Sequence, residues 1–208
     1  MIKLIRSRNG FTTVELLGAA LCAAVILSAL YGFYREQLFH LLLQETKTAT
    51  LEDARGALDI MVRELRNAGF WGTGAPPAGC QRIISAAPTL LTIQADLDGD
   101  GDCGETGENV TYDIGKGTDS CPGPITIRRN GYCLVANVIV SSKEPLFTFF
   151  DANDRPLGQT PPLDAIKRVR VGFSVEVPDP TPAGKKAGRT IRSALAASAE
   201  FRNPIASP

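Results

Sequence analysis

The sequence predicts an α+β fold, in which a long N-terminal α-helix packs on an antiparallel β-sheet. The first 75 residues contain no proline, whereas all 14 prolines lie at Pro76 or later. Apolar residues in the first third recur at helical spacing, and those in the remainder form short runs between turn residues. These observations divide the chain into a helical N-terminal third and a loop-rich remainder that forms strands.

Composition narrows the range of functions. The chain has 208 residues, with 22 Lys+Arg against 22 Asp+Glu and a hydrophobic fraction of 44%. It is too apolar for a disordered chain and too balanced in charge for a nucleic-acid-binding protein. It contains one histidine, His40, and no nucleophile-elbow, phosphate-loop or histidine–metal motif. We therefore expect no enzymatic activity, no nucleic-acid partner and no obligatory cofactor.

Residues 11–34 form an apolar run that is long enough to cross a bilayer. The run contains one charged side chain, Glu15, and a membrane-spanning helix needs about 20 apolar residues. Lys3, Arg6 and Arg8 precede it without any acidic residue, and such basic flanks stay in the cytoplasm. In a bacterium, the chain is therefore expected to cross the inner membrane once, with its C-terminal part in the periplasm.

The residues around the start of this run carry a recognisable pattern. The sequence RNGFTTVEL at positions 8–16 resembles the class III leader of type IV prepilins and type II secretion pseudopilins. The resemblance implies that prepilin peptidase cleaves between Gly10 and Phe11 and that Phe11 is then N-methylated. It also makes Glu15 the fifth mature residue, which neutralises an N-terminal amine and aligns each incoming subunit. Such pairing is favourable because an unpaired charge in a low-dielectric environment is costly.

Apolar residues continue at helical spacing beyond the membrane run and predict an amphipathic helix that ends at about Ala68. The apolar stripe consists of Leu51, Ala54, Leu58, Met61, Val62, Leu65 and Ala68. We expect the stripe to pack on the C-terminal globular part. Gly69 or Gly72 is expected to adopt the left-handed conformation that ends a helix, and Phe70 and Trp71 are expected to fold back onto the core.

The rest of the chain is predicted to form seven short strands. They cover residues 90–95, 109–114, 125–129, 132–140, 146–150, 165–177 and 190–201. Asn130-Gly131 predicts a tight type I′ hairpin. Val169, Val171 and Phe173 alternate with polar residues, which predicts a strand buried on one face.

Several parts of the chain resemble PilW-like minor pilins. They are ELRNAGF at 64–70 and stretches within 135–151, 166–171 and 201–203. The resemblance implies a type IV pilin-like fold that consists of a leader (1–10), a transmembrane or filament-core helix (11–34), its amphipathic continuation (35–72) and a β-rich globular domain (73–208).

This family resemblance implies a structural subunit that acts in pilus assembly or initiation. The implied partners are other major and minor pilins, prepilin peptidase and the inner-membrane assembly machinery. The implied location changes from the inner membrane to the pilus at the cell surface, and adhesion and twitching motility are the associated activities. Type II secretion minor pseudopilins carry the same leader, so that assignment stays open.

Residues 96–108 carry six carboxylates and no basic side chain. The six are Asp96, Asp98, Asp100, Asp102, Glu105 and Glu108. Alternating oxygen ligands suit calcium, and Asp96, Asp98 and Asp100 fit positions 1, 3 and 5 of the calcium-loop consensus. The twelfth position is Gly107, so Glu105 or Glu108 would have to serve with altered geometry. Either a plain acidic turn or a calcium site fits this loop, and the second would suit a membrane-anchored calcium-binding adhesin.

Four of the five cysteines lie beyond the apolar run. Cys80, Cys103, Cys121 and Cys133 predict two disulfides in an exported domain, with three possible connectivities. A zinc site is the alternative, although the spacings contain no Cys-x-x-Cys pair. Cys22 lies inside the apolar run, where it serves as a small apolar side chain.

Overall fold

The computed structural model describes residues 11–72, 74–118, 121–141, 143–179 and 181–203. The chain divides into two compact units, residues 1–45 and residues 46–208. The predicted cleavage residue Gly10 and the rest of the predicted leader lie outside the described residues.

Helix α1 covers Thr13–Asn67. It begins two residues after Phe11 and ends one residue before the predicted end at Ala68, and five residues before the end of the predicted 35–72 segment. In the first unit, every described side chain from Phe11 to Leu38 is exposed. This part of α1 contains a stretch that is long and apolar enough to cross a membrane, judged by length and composition alone.

In the second unit, one face of α1 is buried. Ala54 and Met61 are completely buried, as is Leu65, and Ala57 and Leu58 are nearly so. Leu51 and Val62 pack at the margin of the same core. These positions recur every three or four residues, so the predicted apolar stripe is confirmed.

The helix ends just before Gly69, one of the two glycines predicted to adopt a left-handed conformation there. Gly69 follows the last helical residue by two positions and has a φ of +73°, a conformation that glycine adopts without steric cost. The expectation that Phe70 folds back onto the core is wrong, because Phe70 is 44% exposed. Its backbone oxygen accepts a hydrogen bond from the Asp96 N–H at 2.8 Å, so this segment runs beside the end of a strand with the phenyl ring outward. Trp71 is partly buried.

The described strands form two antiparallel sheets. They are β1 (Ile83–Ala87), β2 (Leu90–Gln94), β3 (Asn109–Gly115), β4 (Thr126–Arg129), β5 (Tyr132–Val135), β6 (Val138–Ile139), β7 (Phe147–Phe150), β8 (Arg168–Pro178) and β9 (Thr190–Glu200). The first sheet has the order β1-β2-β3-β4-β5. In the second, β9 pairs with the whole length of β8, and β6 and β7 share the other edge of β8. The helix and antiparallel strands confirm an α+β fold.

Two sheets replace the predicted single sheet because the chain changes sheets at Asn137. We predicted one strand over residues 132–140, but Asn137 has a φ of +53° and interrupts it. The chain before Asn137 pairs with β4, and the chain after it pairs with β8. Strand β1, a 3-10 turn at Leu163–Ala165 and a short helix α2 at Pro182–Ala187 were also not predicted.

The predicted Asn-Gly hairpin joins β4 and β5. Asn130 and Gly131 have φ values of +50° and +81°, and positive φ at both central residues defines the type I′ turn. The predicted alternation in β8 is likewise confirmed, since Val169, Val171 and Phe173 are buried.

One hydrophobic core joins α1 to both sheets in the second unit. Its largest fully buried side chains include Tyr112 of β3, Phe147 and Phe149 of β7, and Met61 of α1. The two predicted disulfides form in the same unit: Cys80 bonds to Cys103, and Cys121 bonds to Cys133. Cys22 is free and exposed.

Candidate functional site

The first candidate site is the start of α1, where Glu15 lies three residues after Thr12. The Glu15 carboxylate accepts hydrogen bonds from the Thr12 N–H at 2.9 Å and from the Thr12 hydroxyl at 3.0 Å. The Glu15 N–H in turn approaches the Thr12 hydroxyl oxygen at 3.3 Å. This reciprocal pattern is a capping box, which satisfies backbone donors that have no partner within the helix.

The capping box explains why the helix begins here, and it supplies the Glu15 carboxylate with hydrogen bonds but with no oppositely charged side chain. Glu15 has no ion pair among the side chains that the structure describes. Phe11, the predicted first mature residue, is 88% exposed. The charge-pairing role of Glu15 was predicted and its capping role was not, although Thr-x-x-Glu is a recognisable capping signature.

The second candidate site is the acidic loop, residues 96–108, which connects β2 to β3. Asp96 is completely buried and Glu108 is 6% exposed. Asp96, Asp98 and Glu108 each present a carboxylate oxygen, and these three oxygens lie within 4.8 Å of one another. We call these three residues the carboxylate cluster.

Backbone N–H groups hold Asp96 and Glu108 in place. The two carboxylate oxygens of Asp96 accept hydrogen bonds from Gly99 N at 2.7 Å and Gly101 N at 3.2 Å. Oε1 of Glu108 accepts one from Leu97 N at 2.6 Å. Oε2 of Glu108 is buried and has no hydrogen-bond partner among the described residues.

The other three predicted ligands lie outside the carboxylate cluster. Asp100 and Asp102 are exposed, and each accepts a hydrogen bond from the backbone N–H two residues further on. Glu105 is also exposed. The negative charges of Asp100 and Asp98 are the largest causes that raise the pKa of Glu105 above its ordinary value, so the loop has a strongly negative local potential.

Strand pairing and a disulfide give the loop its shape. Strands β2 and β3 pair up to Gln94 and Asn109, and the Ala95 N–H donates to the Glu108 carbonyl at 3.0 Å. This pairing brings Glu108 alongside Asp96. Cys103 is buried, bonded to Cys80, and its carbonyl accepts a hydrogen bond from the Gln94 side chain at 3.2 Å.

A third cluster, which sequence analysis missed, connects α1 to the first sheet. Arg129 of β4 donates to both carboxylate oxygens of Glu64, with Nη2 at 2.8 Å from Oε1 and Nε at 3.0 Å from Oε2. The Tyr112 hydroxyl also donates to Glu64. A two-pronged arginine–carboxylate contact is among the stronger polar interactions in proteins, so this cluster fixes the helix on the sheet.

Buried Arg82 holds the segment that follows β9. Its guanidinium donates to the Ile166 carbonyl at 2.8 Å and the Asn203 carbonyl at 3.1 Å, and it stacks 4.5 Å from the Phe201 ring centre. Burial lowers the pKa of Arg82 below its ordinary value, partly opposed by the charge of Asp164.

Comparison of this chain with protein families, with curated proteins and with solved structures found no match.

Proposed function

We propose that this chain is a minor type IV pilin of the PilW-like kind, a structural subunit that acts in pilus assembly or initiation. The precursor is anchored in the bacterial inner membrane by the apolar part of α1. Prepilin peptidase cuts it after Gly10, and Phe11 is N-methylated. The subunit then joins other major and minor pilins in a fibre at the cell surface.

The observation that carries this proposal is the position of Glu15. It is the one charged side chain in an apolar run of 24 residues, and it stands five residues after Gly10. A carboxylate at the centre of a membrane-spanning helix costs about 2.5–3.5 kcal/mol on insertion scales, and one nearer the end costs less but still favours a partner. The capping box supplies hydrogen bonds to this carboxylate but no opposite charge. The N-terminal amine that cleavage creates at Phe11 of this or a neighbouring subunit supplies that charge.

The second unit has features that suit an exported fibre subunit. Two disulfides stabilise its loops, and such bonds persist in oxidising compartments outside the cytoplasm. One face of α1 is part of the core that both sheets share, so the same helix supplies the apolar N-terminal run and a buried element of the folded domain.

The decisive experiment separates the charge of Glu15 from its capping role. Gln at the third helical position completes a capping box as Glu does, but it carries no charge. We expect Glu15→Gln and Glu15→Ala to be cleaved normally and yet to assemble into fibres at least about tenfold less efficiently, which corresponds to the loss of about 1.4 kcal/mol of pairing energy. Immunoblots of sheared fibres measure assembly, and mass spectrometry measures the mature N-terminus.

Two outcomes of this experiment contradict the proposal. If Glu15→Gln assembles like the unaltered chain, the carboxylate only caps the helix. If the unaltered chain keeps its initiator methionine in a host with active peptidase, the leader assignment is wrong.

A Gly10→Val precursor, which should stay full length, serves as the control for processing. Co-purification with pilins or with secretion-system pseudopilins then decides between the two kinds of fibre.

A further inference from the structure

The acidic loop contains an arrangement that a structural turn does not need. A turn requires backbone hydrogen bonds and tolerant residues. The side chains of Asp98, Asp100 and Asp102 accept such bonds, as do Asp96 and Oε1 of Glu108. The turn does not account for Oε2 of Glu108, which is buried beside Asp96 and has no hydrogen-bond partner among the described residues. Asp96 is completely buried, Glu108 is 6% exposed, and both belong to the carboxylate cluster.

No side chain that the structure describes balances the charge of the carboxylate cluster. No described Lys or Arg side chain forms an ion pair with Asp96, Asp98 or Glu108. Oε2 of Glu108 lacks even a hydrogen-bond donor among the described residues. Backbone N–H groups bond to the other buried carboxylate oxygens but carry no net charge, and like charges gathered in one buried site are unfavourable. A cation in the cluster would offset this repulsion and give Oε2 of Glu108 a partner.

We propose that the carboxylate cluster binds a calcium ion. Asp96, Asp98 and Glu108 supply carboxylate oxygens, and calcium completes its six to eight ligands with carbonyl and water oxygens, as it does in other proteins. Glu108 follows Asp96 by twelve positions and takes the role that the consensus gives to a glutamate one position earlier. The pairing of β2 with β3 delivers Glu108 to the cluster.

The proposal concerns a site in the second unit and is independent of processing and fibre assembly. Its test uses the purified full-length chain in detergent, stripped of metal with a chelator. Added calcium should raise the melting temperature by roughly 5–10 °C when its concentration is about 100 times the dissociation constant. Magnesium should be at least about tenfold weaker, because it needs a smaller octahedral set of ligands.

Trp71 provides an optical reading of the same site. It is the single tryptophan in the chain, and it forms a β-bridge with Asp96. Terbium, which takes oxygen ligands like calcium, should luminesce when Trp71 is excited, and calcium should displace it. A terbium signal that calcium leaves unchanged would contradict a calcium site beside Trp71.

Matched variants separate ligands from general negative charge. Asp98→Asn and Asp102→Asn each remove one charge from the same loop, and each asparagine keeps the oxygen that accepts the local backbone hydrogen bond. We expect Asp98→Asn to weaken calcium binding at least about tenfold, and Asp102→Asn to weaken it by less than about threefold, since ligand number sets calcium affinity. Glu108→Gln should behave like Asp98→Asn.

Three results would overturn the proposal. The first is a melting temperature that does not respond to calcium. The second is an equal loss of affinity in Asp98→Asn and Asp102→Asn, which would indicate diffuse attraction of counter-ions. The third is a Glu108→Gln chain that binds calcium as tightly as the unaltered chain, since Glu108 would then not be a ligand.

Discussion

Tyr112 illustrates how one buried polar atom connects the helix to the sheet. Its side chain is completely buried in the core, and its hydroxyl donates to Glu64 of α1, which Arg129 of β4 also holds. Burial and the neighbouring Glu64 carboxylate raise the pKa of Tyr112 well above its ordinary value. The neutral phenol is therefore part of the folded structure.

We predict that Tyr112→Phe costs about 1–2 kcal/mol of unfolding free energy at neutral pH, through the lost hydrogen bond to a charged group. The pKa of Tyr112 is raised in the folded state, so its stabilisation is complete below about pH 10 and is lost as the pH rises further, because the unfolded chain ionises first. Urea titrations at neutral pH and above pH 10 measure the free energy of unfolding of Tyr112→Phe and of the chain that keeps Tyr112. Both chains carry Cys22→Ser, which removes the free thiol.

The difference between Tyr112→Phe and the unaltered chain should shrink above pH 10, because phenylalanine cannot ionise. A difference that stays constant across that range would contradict a neutral, buried Tyr112. Tyr132, which is 80% exposed, offers the matched control, and Tyr132→Phe should change stability by less than about 0.5 kcal/mol at either pH.

The periodicity of apolar residues does not predict hydrogen bonds between polar residues that are far apart in the sequence. Glu64 falls on the polar side of the predicted helix stripe, where charges are normally solvated. Its partner Arg129 is 65 positions away in the sequence, and only the completed fold brings the two together. The capping box at Thr12 and Glu15, by contrast, is local and readable from the sequence.

At the level of elements, α1 follows directly from the sequence. Helical spacing from Leu51 to Ala68 predicted which face is buried, and the core contains that face. The Asn130-Gly131 turn was also predictable, because its conformation depends on two adjacent residues. Strand β1 was not predictable from the sequence. It has only five residues, Ile83–Ala87, and two of them are alanine, which favours helices.

We predict that Met61→Ala, on the buried face of α1, lowers the free energy of unfolding by about 2–5 kcal/mol, because Met61 is completely buried and its removal leaves a cavity. Leu41→Ala on the same helix should change it by less than about 0.5 kcal/mol, because Leu41 is 59% exposed. Urea titration of the full chain in detergent, followed by Trp71 fluorescence, provides both values. Equal losses in the two variants would contradict the assigned face.

At the level of the whole molecule, the division of the strands into two sheets depends on the conformation of Asn137, which no local sequence pattern predicts. Residues 132–140 read as one continuous strand, yet Asn137 turns the chain into the second sheet. The acidic loop was recognised from its composition, but its selection of Asp96, Asp98 and Glu108 depends on how β2 and β3 pair. The disulfide connectivity likewise followed from the fold and not from the spacings.

The disulfides are expected to contribute to stability through the unfolded chain. They join cysteines 23 and 12 positions apart, and closing loops of that size is worth about 3 kcal/mol each in the chain-entropy model. We predict that the double variant Cys80→Ser with Cys103→Ser loses about 3 kcal/mol of unfolding free energy, and that Cys121→Ser with Cys133→Ser loses a similar amount. Thermal unfolding monitored by circular dichroism measures both losses.

Reduction by dithiothreitol should lower the melting temperature of the unaltered chain and leave that of a chain without these four cysteines unchanged. A melting temperature that is insensitive to reduction in the unaltered chain would contradict any stabilising role for the two bonds.

Because four of the five cysteines form disulfides, Cys22 is left free to react with thiol reagents. Cys22 is the free thiol in the chain, and it lies exposed on the apolar part of α1. A maleimide reagent therefore attaches at a single defined depth in this helix without any engineering. Its rate of labelling from water therefore reports whether this part of the helix is open to water or is covered by lipid, detergent or other subunits.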